Sequence, residues 1–180
     1  GKGVPAALFM SVAQTLIKNS ATSLVARRIV KKANDDLFTI NKHQFFLTLF
    51  LGILNVKTGD LEYCNAAHTP TYILKQSGEI VELAKSHGLP LGLYSNKEYF
   101  NSRLKLVNGD IIILFTDGIT DLQNENGIHF GSERFVENIR QLADYEPKEL
   151  VLRIDKSLEI FRGNQSQTDD ITLMAVKYKA

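Results

Sequence analysis

Two short acidic sites carry most of the chemistry this sequence can offer: Asp117, followed by Gly118, and the pair Asp169-Asp170. All three carboxylates are hard oxygen donors of the kind that suits magnesium or manganese. Asp117 closes the run Ile111-Ile112-Ile113-Leu114-Phe115-Thr116, which is apolar or β-branched without alternation. Such a run predicts a strand buried on both faces, with Asn108-Gly109-Asp110 as the turn leading in and Gly118 letting the chain bend tightly on the way out. Asp169-Asp170 stands at the head of the last apolar run, residues 171–176. A carboxylate at such a strand end is costly unless it is paired, hydrogen-bonded or bound to a cation. Taken singly, Asp117 also reads as a turn aspartate, and Asp169-Asp170 as a solvated loop with an Asx turn.

Other chemistries find little support. Cys64 stands alone and His43, His68, His87 and His129 are scattered, so no zinc-type spacing exists. No serine sits in a Gly-x-Ser-x-Gly elbow, which argues against acyl transfer. Gly1-Lys2-Gly3 ahead of a helix could face an anion, with Lys2 toward a phosphate, but three residues are a weak signal. His68 reads as a hydrogen-bonding loop residue, and the other histidines as surface or loop residues. Cys64 reads as a small core residue and not as a reactive thiol.

The elements that must position the acidic sites follow from pattern. At 180 residues with 44% hydrophobic and 23% charged residues, the chain supports one soluble domain with a substantial core. A formal net charge of +1 and the absence of long basic runs give no reason to expect a nucleic-acid partner. A single cysteine fits a reducing compartment, and no stretch approaches a membrane span or signal pattern. A cytoplasmic protein is expected, or the cytoplasmic part of a larger sensor.

Pro5 suits the first turn of a helix whose apolar face is Leu8, Val12 and Leu16, with Phe9 and Ile17 beside them. Thr22 or Ser23 can cap a second helix carrying Val25, Ile29, Ala33 and Leu37 inward. Residues 45–54 read as a central strand, with residues 61–66 as its hairpin partner across Lys57-Thr58-Gly59-Asp60. A second hairpin joins residues 72–74 to 80–83 around Gln76-Ser77-Gly78, and residues 88–92 form a glycine-punctuated loop. Residues 100–107 are a further strand. Beyond Asp117, Asn124-Glu125-Asn126-Gly127 is a turn, and Ser132 can cap a helix with Phe135, Ile139 and Leu142 inward. Pro147 opens another helix, and residues 171–176 close the chain as a strand. Helices, antiparallel strands, helices and a strand in that order make an α+β domain.

The chain also resembles a known family. Gly-Lys-Gly-Val-Pro-Ala-Ala-Leu-Phe-Met at 1–10, Thr48-Leu49-Phe50-Leu51-Gly52, Asn65-Ala66-Ala67-His68, Gly88-Leu89-Pro90-Leu91-Gly92, Phe115-Thr116-Asp117-Gly118-Ile119-Thr120 and Asp169-Asp170-Ile171-Thr172-Leu173 occur in this order. Together they resemble the motifs of SpoIIE-type serine/threonine phosphatases, the bacterial branch of the metal-dependent protein phosphatase 2C (PPM) family. The resemblance spans residues 1–180 and implies a four-layer αββα sandwich with a two-metal centre, Mn2+ or Mg2+, that hydrolyses phosphoserine or phosphothreonine. Asp117 and Asp169 match metal-binding, catalytic aspartates of the family; Asp170 and Gly118 match neighbours that orient them. Substrate-contacting residues are not specified.

By the family's habit the substrate is a phosphorylated regulatory protein, an anti-sigma-factor antagonist, under control of an upstream sensor or receiver domain. Only the Gly-Lys-Gly end of the family's Gly-Asp-x-x-Gly-Lys/His-Gly motif is present. The expectation is a domain lacking its N-terminal strands and at least two carboxylates, so that residues 1–180 alone are metal-poor, inactive, and unstable or self-associated as a homo-oligomer through a sheet edge. A second departure is Ala67, where the family usually has glycine. The alternative is a catalytically degenerate phosphatase-like module that binds a partner. A receiver domain or a haloacid-dehalogenase-like enzyme fits less well, because strands and helices do not alternate and the acidic pair precedes a strand.

Overall fold

The computed structural model describes residues 3–21, 25–41, 45–83 and 86–180. In chain order the elements are α1 (Val4–Ser20), α2 (Ala26–Ile40), β1 (Leu49–Leu54), β2 (Asp60–Ala66), β3 (Tyr72–Leu74), β4 (Ile80–Glu82), β5 (Ser102–Lys105), β6 (Ile111–Phe115), α3 (Gly131–Gln141), α4 (Pro147–Arg162) and β7 (Leu173–Lys177). They gather into two compact units, Gly1–His68 with Ala84–Lys105, and Thr69–Leu83 with Leu106–Ala180. The mixed helix-and-antiparallel-sheet class expected above is the one observed. Among the described residues, no helix is long and apolar enough to cross a membrane.

In the first unit the sheet order is β1-β2-β5, all antiparallel. The turn at residues 57–60 leads from β1 into β2 as the glycine predicts, with Gly59 at a positive φ. Residues 45–54 were expected to form one central strand. Among the described residues the strand instead begins at Leu49 and stands at one end of its sheet, and β2 is the interior strand. Leu47 pairs separately with Leu91. The four-residue spacing of α2 is kept: Ile29, Ala33 and Leu37 are buried, joined by Ala26, Val30 and Asn34.

Two helix details differ from expectation. Val25, not Thr22 or Ser23, is the N-cap of α2, and those two lie outside the described residues. The first-turn amide of Ala26 donates instead to the Glu62 carboxylate of β2, at 2.9 Å. In α1 the inward side is Ala13 and Ser20, with Phe9, Leu16 and Ile17 against the core, whereas Leu8 is 63% exposed. Because α1 is apolar around most of its circumference, periodicity alone could not select the buried side.

In the second unit the order is β4-β3-β6-β7, again antiparallel. β6 runs between β3 and β7 with Ile111, Ile112, Ile113 and Phe115 buried, as its unbroken apolar run predicts. Its core cluster joins Tyr72 and Leu74 of β3 to Phe135 and Ile139 of α3 and to Leu150, Ile154 and Leu158 of α4. Phe115 and Phe135 meet with ring centroids 4.4 Å apart. Pro147 opens α4 as expected. Ser132 does not cap α3: the helix starts at Gly131 with Phe130 as N-cap and no side-chain cap bond.

Candidate active site

β6 delivers its chain end to the candidate site. The last ladder pair is Phe115 with Leu173, so the segment leaving β6 runs beside the segment entering β7. Thr116 continues the contact: its amide donates to Thr172 O at 3.1 Å, and its hydroxyl donates to Asp170 O at 3.1 Å. The same hydroxyl accepts the Thr172 amide at 3.0 Å. On the other side of Asp117, a Cβ on Gly118 would lie 2.3 Å from Asp170 O. Gly118 has no positive φ, so it is needed here for close approach, and the tight bend expected of it is not the reason. Thr69, in the chain leading to β3, donates its hydroxyl to the carbonyl of Phe115.

Asp117 is therefore flanked on both sides by contacts to residues 170–172, and the acidic sites expected at two strand ends come to one end of the β6–β7 pair. The Asp117 side chain is exposed, and its carbonyl accepts from the amide of Asp121 at 2.8 Å and the hydroxyl of Thr120 at 3.1 Å. One Asp169 carboxylate oxygen accepts the amide of Asp170 at 2.9 Å, while Gln167 Nε2 donates to Asp169 O at 2.7 Å. Three exposed carboxylic acids on adjacent backbone segments are a donor set fit to contribute to a site for a hard divalent cation. Among the described residues, no group of three or more His, Cys, Asp or Glu side chains is gathered closely enough to hold an ion alone.

The remaining polar groups divide clearly. His68 has the hydrogen-bonding role expected of it: its Nδ1 lies 3.1 Å from Thr48 Oγ1, and its amide donates to Asn65 Oδ1 at 2.7 Å. Ala67 has a φ of 56°, which explains physically why glycine suits that position. His129 is exposed beside Gln123, whereas His43 and Lys2 lie outside the described residues.

His87 is not a surface residue. It is buried, its Nδ1 accepts the Asn65 amide at 3.0 Å, and its Nε2 therefore carries the proton toward Ser102 Oγ, 2.8 Å away. Burial pushes its pKa down and keeps it neutral. With the proton held on Nε2, it is no base for Ser102. Cys64 is buried as expected, and desolvation pushes its thiol up to about 12.

Two buried acids were not singled out by pattern. Asp110, fully buried, accepts from Lys75 Nζ at 2.8 Å, the Val107 amide at 3.0 Å and the Gln76 amide at 3.3 Å. Burial of Glu62 would raise its pKa, but the Ala26 amide and the Arg103 guanidinium outweigh that and hold it below the ordinary glutamate value. Arg103 Nε and Nη2 reach Glu62 Oε2 at 2.8 and 2.6 Å. The fastening role of Thr116 was also missed; its only sequence signal is a β-branched hydroxyl residue directly before the aspartate.

Comparison with known proteins decides the family. The profile described as Stage II sporulation protein E (SpoIIE) matches residues 1–179. The chain belongs to the SpoIIE family. The resemblance drawn from the ordered motifs is thereby borne out. Among relatives of this SpoIIE chain, Protein IcfG of Synechocystis sp. is 33% identical over 155 residues, covering 82% of this chain and 23% of IcfG. Phosphoserine phosphatase RsbU of Bacillus subtilis is 28% identical over 180 residues, covering 99% of this chain and 53% of RsbU. The chain thus spans about half of RsbU and a quarter of IcfG. The SiaA-PP2C domain of Pseudomonas aeruginosa superposes with a TM-score of 0.88 at 23% identity, covering 99% of this chain and 72% of that one. The fold is that of PP2C-type phosphatase domains, and solved structures that match it include complexes with manganese and with magnesium.

Proposed function

We propose that this SpoIIE-family domain hydrolyses phosphoserine or phosphothreonine on a regulatory protein in bacterial signalling, with Mn2+ or Mg2+ as its cofactor. The observation that carries the reading is the fastening of the Asp117 strand end to the Asp169-Asp170 segment in a chain of PP2C-type fold. Asp117 and Asp169 would hold divalent ions, two of them by the resemblance, and Asp170 would orient Asp169 through its amide. Further donors would be water and substrate oxygens. When bound, such ions would supply Lewis acidity and charge neutralisation for displacement of the serine or threonine alcohol from phosphorus by water, a reaction that needs no protein nucleophile. The chain's own residues would set the spacing of the donors and leave their carboxylates open to solvent and substrate.

The substrate proposed is a phosphorylated anti-sigma-factor antagonist, and control by an upstream sensor or receiver domain, in the cytoplasm, completes the reading. The test uses the full-length protein, a phosphoserine peptide and Mn2+. Asp117→Asn and Asp169→Asn should each lower turnover by about 100-fold or more with the fold retained, and excess EDTA should abolish it. Asp170→Asn should be milder. Undiminished turnover in EDTA, or in the Asp117 variant, would overturn the proposal.

A further inference from the structure

We infer that Thr116 is a positioning residue for the divalent-cation site, acting through the backbone of Asp170. This rests on the metal-dependent reading above and deepens it by naming the group that sets the spacing between Asp117 and Asp169.

Beyond the last ladder pair, the two segments could diverge, because regular pairing ends at Phe115 and Leu173. The hydroxyl and the amide of Thr116 together hold them. Thr116 Oγ1 both donates to Asp170 O and accepts from the Thr172 amide, so a single atom spans two successive points of the neighbouring segment. With the Thr116 amide bound to Thr172 O, three hydrogen bonds converge on the residue directly before Asp117. The β-branch of threonine restricts χ1, which keeps the hydroxyl aimed.

The linkage continues to the second acid. Asp170 is held at its carbonyl by Thr116 and donates its amide to the Asp169 carboxylate at 2.9 Å. Thr116 is adjacent in sequence to one proposed ligand and two bonds removed from the other. Gln167, donating to Asp169 O at 2.7 Å, braces the same loop. The hydroxyl of Thr116 thus ties the Asp117 segment to the Asp169-Asp170 segment.

The experiment measures Mn2+ binding to the full-length protein by titration calorimetry, together with the thermal midpoint in EDTA. Thr116→Val keeps the shape and removes the hydroxyl; Thr116→Ser keeps the hydroxyl. Partners that orient metal ligands typically account for about 10–100-fold in affinity. Thr116→Val should weaken Mn2+ binding within that range, and Thr116→Ser should restore it to near the wild-type value. A role confined to stability would lower the midpoint of Thr116→Val in EDTA while its folded form bound Mn2+ as tightly as wild type, and that result would overturn the inference. If Thr116→Val does not fold, Thr116→Ala replaces it under the same comparison. A Thr116→Ser variant as weak as the hydroxyl-free one would overturn it equally. Wild-type protein that binds no Mn2+, or binds it unchanged in Asp117→Asn, would instead refute the metal-dependent reading itself, independently of any Thr116 result.

Discussion

Replacing Gly118 with alanine tests whether close approach, and not flexibility, is what that glycine provides. Its φ is not in the left-handed region, so alanine is conformationally permitted there. With room available, the substitution would stabilise by about 0.4–1 kcal/mol through the unfolded chain. There is no room. The new Cβ would sit 2.3 Å from Asp170 O and 3.0 Å from Asp170 C, both backbone atoms that cannot rotate away. Ordinary contact begins near 3.4 Å, so the two segments must part by about 1.1 Å. That displacement breaks the Thr116–Asp170 and Thr172–Thr116 hydrogen bonds, each worth about 0.5–1.5 kcal/mol. The expected loss is about 2 kcal/mol, or about 4–8 °C in the thermal midpoint of a domain this size. Misplacement by about 1 Å at a reacting centre costs about 100-fold in rate. Circular-dichroism melts and turnover of a phosphoserine peptide with Mn2+, both on full-length protein, read the two effects. A Gly118→Ala protein that melts at or above the wild-type midpoint with undiminished turnover would refute the reasoning.

Three further outcomes are expected. Asp110→Ala removes the acceptor for Lys75 and two amides at the opposite end of β6; urea unfolding should show a loss of about 3 kcal/mol, with turnover of the folded fraction kept. Because the folded pKa of Glu62 is depressed, its contribution is full above the unfolded value and is lost as pH falls through the folded one. The stability gap between wild type and Glu62→Gln, about 1 kcal/mol at neutral pH given the exposed Arg103 partner, should therefore close on acidification below about pH 4.5 in pH-dependent urea melts. Cys64, buried with its thiol pushed up to about 12, should resist a thiol-specific reagent in native protein and react on unfolding; rapid stoichiometric labelling of the native state would contradict its burial.

Much of this fold was readable because some segments carry their signal locally. The run from Ile111 to Phe115 has no polar residue to place outward, so an interior strand was the consistent reading, and the glycines at 59, 78 and 109 punctuate turns at positive φ. The acids at 117 and 169–170 were visible as strand-end carboxylates for the same reason. What could not be read depends on partners distant in sequence. Glu62 looks like an ordinary strand residue until Ala26 and Arg103 converge on it, and Asp110 like a turn residue until Lys75 arrives. His87 sits among loop residues, yet the Asn65 amide and Ser102 make its burial tolerable. α1 failed in another way: Val4, Leu8, Met10 and Val12 are exposed although apolar, so hydrophobicity did not mark its inner side.

The fastening of residue 116 to residue 170 spans 54 residues of chain, including both helices of the second unit. Closing a loop of that length costs on the order of 3–4 kcal/mol of chain entropy before any local contact offsets it. β6 can pair with β3 without the acidic site, because it is the pairing of β7 that brings the Asp169-Asp170 segment beside the Asp117 segment. The candidate site therefore cannot form before β7 pairs with β6, and fraying of β7 at Leu173 would dismantle it. The Thr116 and Thr172 amides, each bonded across that junction, are its natural hydrogen-exchange probes: their protection measures the free energy needed to part the Asp117 segment from the Asp169-Asp170 segment.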